Sequence, residues 1–166
     1  MSLRKTLEMA ERIVDGADEK TLLRLNEVVQ DICNAETALL KKAGGLMKRC
    51  ISGCTGICCK NVEIDLVIGV WDFVFVLLAA PETRAVMREC VKKEDPLFSA
   101  DCVFLKNGSG PCLLPYDKRP EVCVVTFCDD TAIIGPEIGK VKRLFMKLGW
   151  VHKINRMKFH LFRLRK

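Results

Sequence analysis

Nothing in this 166-residue chain is apolar for long enough to cross a membrane as a helix. The most apolar stretch, Val62 to Pro81, is broken by Glu63, Asp65 and Asp72. Its longest uncharged run, Phe73 to Pro81, is nine residues, against roughly 20 for a spanning helix. The opening residues, Met-Ser-Leu-Arg-Lys-Thr-Leu-Glu, carry charge throughout and contain no apolar core of a secretion signal. A soluble, cytoplasmic protein is therefore expected. Histidine is nearly absent: His152 and His160 both lie in the C-terminal tail, where a surface position is the simpler expectation. No Gly-rich nucleotide loop, internal repeat or low-complexity tract occurs. These gaps speak against a nucleotide-dependent enzyme and against histidine-based acid–base chemistry.

What the chain has in excess is cysteine, ten in all. In a reducing compartment clustered cysteines point to metal ligation rather than to disulfides. Eight fall into two sets of four, Cys50-x3-Cys54-x3-Cys58-Cys59 and Cys102-x9-Cys112-x10-Cys123-x4-Cys128. Close spacing in the first set closes small rings at little entropic cost, and Gly53 and Gly56 allow sharp turns between ligands. Pro111, Pro115 and Pro120 stiffen the second segment. Arg49, Lys60, Lys118 and Arg119 flank the thiols and oppose the net negative charge of a four-thiolate site. The adjacent Cys58 and Cys59 point in different directions on most backbones, so how the eight are shared between metals stays open. Cys33 and Cys90 fall in helical patterns, and Cys33, beside an apolar stripe, reads as a small core residue.

The coarse pattern is mainly α: a small single domain with an N-terminal helical hairpin and irregular cysteine-rich metal-binding loops. Ser2 is placed to cap a helix running to about Val14, with Gly16 as its stop. Asp18 is placed to cap a longer helix with the stripe Leu22, Leu25, Val29, Ile32, Ala35 and Leu39, ended by Gly44-Gly45. Residues 46–60 read as a loop, Val62–Leu66 alternates like a short strand, and Trp71–Ala80 reads as a buried helix. Pro81 kinks that helix or opens another running to about Lys93. Residues 95–136 hold five of the six prolines and read as irregular, and Glu137–Leu148 reads as a helix. The expected division is a helical hairpin over 1–45, a cysteine-rich metal-binding region over 46–136, and a basic helix and tail over 137–166.

Charge is unevenly placed. Residues 140–166 hold ten Lys and Arg and no acid, while residues 1–139 hold 17 bases against 21 acids. The basic tail is expected to make at most a weak contact with nucleic acid or an anionic surface. Its apolar residues, Phe145, Trp150, Phe159, Leu161 and Phe162, should pack on the body instead.

The run Arg-Cys-Ile-Ser-Gly-Cys-Thr-Gly-Ile-Cys-Cys-Lys over 49–60 resembles the opening signature of a zinc- or iron-chelating domain family, the YkgJ or CxxCxxCC family. The second half is similar as well: Cys102-Val-Phe-Leu, then Cys112, Tyr116, Arg119-Pro120-Glu-Val-Cys123 and Cys128. The gaps in the first set are longer than is usual there, and Val124 stands where the family often has arginine. The resemblance covers 50–128 and implies metal or cluster binding by these cysteines. A similar motif occurs in flagellin lysine N-methylases, although nothing else in the chain resembles a methyl-donor site.

Paired C-x2-C knuckles, usual for structural zinc, are missing. A compact set in one loop with distant partners is closer to iron–sulfur ligation. An iron–sulfur cluster, [4Fe-4S], is the favoured cofactor, with zinc as the alternative. The functional expectation is a cysteine-ligated metal-binding protein. The alternatives are a zinc-binding structural or interaction protein, or a cluster-dependent methylase-like or redox enzyme. Arg119, one residue before the rigid Pro120, is expected beside the cofactor, donating hydrogen bonds that orient and neutralise it.

Overall fold

The structure, a computed structural model, describes residues 2–46, 59–60, 62–93, 101–108, 111–127 and 130–163, with side chains described as far as Val151. Helix α1 spans Leu3–Asp15 and α2 spans Glu19–Lys42. Their starts follow local chemistry. The Ser2 hydroxyl accepts from the Lys5 amide, and the Asp18 carboxylate accepts from the Thr21 amide at 2.7 Å. Each cap satisfies an amide that the first helical turn leaves without a partner. Gly16 closes α1, whereas α2 ends at Lys42 with Ala43 as its cap, just before the glycine pair.

Helix α3, Ile64–Val67, replaces the expected strand. The Ile68 amide returns to the Ile64 carbonyl, so this alternating stretch closes a helical turn of its own instead of pairing along an edge. Helix α4 spans Val70–Ala79 and buries Phe73, Val74, Phe75, Val76 and Leu77. A helix apolar on nearly every side belongs at the centre, and α4 is packed by α1, α2 and the C-terminal helix. Pro81–Thr83 forms one 3₁₀ turn leading into α5, Arg84–Val91. Helix α6 is short, Glu121–Val125. Helix α7 runs from Gly135 to Arg163, well beyond the expected end at Leu148.

The two N-terminal helices, expected as a hairpin, make their principal contacts elsewhere. Helix α1 packs on α4 and α5, and α2 packs on α7 and α4. Surface ion pairs show both pairings to be antiparallel. Glu11 meets Arg88 and Asp15 meets Arg84 between α1 and α5. Asp31 meets Lys147 and Lys42 meets Glu137 between α2 and α7. The core is one cluster in which Phe75 meets Phe145 edge-on at 5.0 Å. Phe104 packs edge-on against Phe73 at 6.2 Å, which fastens the cysteine-bearing segment 101–114 to the central helix.

Candidate metal centre

Four of the eight candidate ligands, Cys59, Cys102, Cys112 and Cys123, lie within the described residues; Cys50, Cys54, Cys58 and Cys128 lie outside them. Three stretches of chain carry the four. Cys59 and Cys102 are joined through the backbone, the Cys102 amide donating to the Cys59 carbonyl at 2.7 Å beside an antiparallel bridge between Lys60 and Asp101. Cys102 and Cys112 stand at either end of a tight turn. Leu105 bridges to Cys112, the Leu113 amide donates to the Phe104 carbonyl, and the Lys106 amide to the Pro111 carbonyl. The reversal passes through Asn107 and Gly108 at φ 55° and 73°, the left-handed region that asparagine and glycine accept most readily.

Cys123 arrives on the first turn of α6, its amide donating to the Pro120 carbonyl at 2.9 Å. The Asp72 carboxylate, at the start of α4, holds that turn. It accepts from the Gly69 amide at 2.9 Å and from the Glu121 amide at 2.8 Å, capping two helices at once. The position of Cys123 is therefore referred to the central helix through one aspartate.

The four thiols are electrostatic neighbours. Burial pushes Cys102 up to about 12, with further repulsion from Cys112, Cys59 and Cys90. Burial likewise pushes Cys123 well above the ordinary thiol value, and Cys102, Cys112 and Cys59 add to it. Cys123 nonetheless keeps an exposed face, so solvent reaches it from one side while protein surrounds it on the others. Among the described residues the charge that opposes this is Arg119, which lowers the Cys123 pKa. The Arg119 guanidinium lies 5.1 Å over the Tyr116 ring, and its Nε is buried without a hydrogen-bond partner among the described residues.

Among the described residues, no three Cys, His, Asp or Glu side chains stand close enough together to chelate one ion. The described thiols are thus neighbours at electrostatic range, not at ligand spacing. Cys102 and Cys123 resist ionisation, and a soft cation beside them would remove that penalty. The fold thus gathers Cys59, Cys102, Cys112 and Cys123 at electrostatic range, with Arg119 acting on Cys123.

Two cysteines set apart on sequence differ in the structure. Cys33 is half-buried on α2, facing Asp117 and Lys118 across a cavity of about 490 Å³ lined also by Gln30 and Thr37. Among the described residues, no thiol is among the charges that act on it. Cys90, buried in the last turn of α5, is a neighbour of Cys102 and Cys112. No local spacing marks Cys90, because its approach is purely tertiary.

If Arg119 stabilises the thiolate form beside it, Arg119→Ala should keep a metal but surrender it to a chelator at about tenfold lower concentration, the lower range for partners that stand behind metal ligands. Superimposable chelator titrations of the two proteins would remove Arg119 from the site.

Comparison with protein-family models, with curated proteins and with solved structures finds no match to this chain.

Proposed function

We propose that the protein binds a metal centre through its clustered cysteines, an iron–sulfur cluster of the [4Fe-4S] type in the favoured reading. The observation that carries this is the convergence of Cys59, Cys102, Cys112 and Cys123 from three stretches of chain, with Arg119 as the charge opposing Cys123. The motif resemblance over 50–128 favours the same ligands. The dense first set without C-x2-C knuckles favours a cluster over zinc. Four thiols are also a complete tetrahedral zinc set, which keeps a structural zinc protein as the second reading. We further propose a weak contact of the basic C-terminal segment with nucleic acid or an anionic surface. No helix among the described residues is long and apolar enough to cross a membrane.

Metal and acid-labile sulfide analysis of protein purified without oxygen tests this directly. Iron and sulfide in matching amounts, with broad visible absorption, is the expected result. Zinc without sulfide would move the assignment to the second reading. A metal-free protein that folds normally under reducing conditions would overturn both.

A further inference from the structure

Two cysteine-bearing segments are fastened to neighbouring residues of the central helix. Phe73 takes the segment that carries Cys102 and Cys112, through the edge of Phe104. Asp72, at the third position of α4, takes the turn that carries Cys123. Each oxygen of its carboxylate has its own task. Oδ2 accepts from the Gly69 amide, a local bond that closes the start of α4. Oδ1 accepts from the Glu121 amide, 49 positions away in sequence and two residues before Cys123. Pro120, the residue that opens α6, offers no side-chain cap. Val124 is buried and α6 packs on α7, but apolar burial has no direction and chooses only which face turns inward. A five-residue helix does not hold its own ends, so a directed bond from the body matters there.

We propose that Asp72 is a positioning residue for the metal centre: its Oδ1 sets where Cys123 stands relative to Cys102 and Cys112. The inference rests on the reading of Cys123 as a ligand and adds the group that places it. The anchor itself is rigid, because α4 is buried from Phe73 through Leu77. A carboxylate suits the task where its amide does not. Aspartate has an acceptor oxygen for each of the two amides. Asparagine has the same shape but one acceptor oxygen, and its NH2 group would face the other amide as a second donor. One of the two bonds is then lost. Metal ligation tolerates displacements of only about 0.2 Å, so a released Cys123 turn weakens the site although every thiol is still present.

Alkylation of the full chain, as purified under reducing conditions without oxygen, tests the assignment thiol by thiol. Iodoacetamide is the probe, and the modified cysteines are located by peptide mass. Asp72→Asn should raise the rate at Cys123 about tenfold, the scale of a lost hydrogen bond to a carboxylate. The rate at Cys33, half-buried on α2, should stay as in wild type. Asp72→Glu, which keeps two acceptor oxygens, should bring Cys123 back toward the wild-type rate. An unchanged Cys123 rate in Asp72→Asn overturns the proposal. So does a parallel rise at Cys33 and Cys123, which would make Asp72 a general support of the fold. Metal content of the same preparations judges the underlying reading separately. Asp72→Asn should surrender its metal to a chelator at about tenfold lower concentration than wild type. A wild type without metal, whose Cys123 still responds selectively to Asp72→Asn, would overturn the metal assignment and leave the positioning role standing.

Discussion

With the proposed metal centre in place, Cys123→Ser is expected to remove the metal and much of the stability. The substitution changes one atom at nearly constant volume, so packing is not disturbed; what is lost is a thiolate, which serine does not replace as a soft ligand. Cys123 sits where the consequences are largest. It stands on a short helix held by the Pro120 carbonyl and the Asp72 carboxylate, with the Cys59, Cys102 and Cys112 thiols as its neighbours. Binding energy in a structural metal site is folding energy, on the order of 10 kcal/mol in small zinc domains, so losing one ligand should remove several kcal/mol. Metal analysis and thermal unfolding, with and without chelator, are the measurements. Wild type with chelator should resemble the variant without it. Cys33→Ser supplies the control, because Cys33 faces a different cavity, on α2. Equal metal loss in the two variants would show that the ten cysteines have been divided wrongly.

The parts of the fold that could be read from the chain are those decided by local chemistry. Ser2 and Asp18 cap their helices because a short polar side chain can reach an amide three residues on, whatever the rest of the protein does. The stretch of α4 after Asp72, apolar at every position, had to become a central helix for want of a polar face. What escaped is tertiary. Val62–Leu66 alternates, but alternation specifies a strand only where a partner edge exists, and here a helical turn satisfies the backbone instead. A glycine inside a helix costs about 1 kcal/mol relative to alanine, which makes Leu148 a natural stopping point. Helix α7 nevertheless continues through Gly149, where the Trp71 ring occupies the space that a side chain would need. The approach of Cys90 to Cys102 and Cys112 has the same character. The reach of segment 101–114 toward α4 depends on Phe104 meeting Phe73, a contact between residues far apart in the chain. Arg119, chosen for its place before Pro120 as a hydrogen-bond donor to the cofactor, lowers the Cys123 pKa by its charge, and its Nε has no hydrogen-bond partner among the described residues.

Raising the pH should destabilise the protein, and Glu36→Gln should remove much of that sensitivity. Glu36 lies on the apolar stripe of α2, between Ile32 and Leu39 in helical register, and is 0 % exposed. Neither of its carboxyl oxygens has a hydrogen-bond partner among the described residues. Burial, then repulsion from Asp117 and Asp72, pushes its pKa up to about 9 from an ordinary value of 4.5. Asp72 is itself raised, chiefly by burial, and the nearby Cys33 thiol is raised by burial and by Glu36, so these neighbours too resist ionisation. The folded state therefore holds a proton on Glu36 that the unfolded chain gives up. The stabilisation this provides is fully present below about pH 4.5 and is lost as pH climbs toward about 9. The slope is about 1.4 kcal/mol per pH unit for one proton, so the accumulated loss is on the order of several kcal/mol. An amide in place of the carboxyl keeps the shape and cannot ionise. Unfolding by denaturant at pH 5 and pH 8 should show wild type weakening markedly between the two, while Glu36→Gln weakens much less and becomes the more stable protein at pH 8. Parallel losses in both proteins would mean that Glu36 is ionised and paired in the fold, and the acid-facing neighbours Asp72 and Asp117 would then need a cation between them.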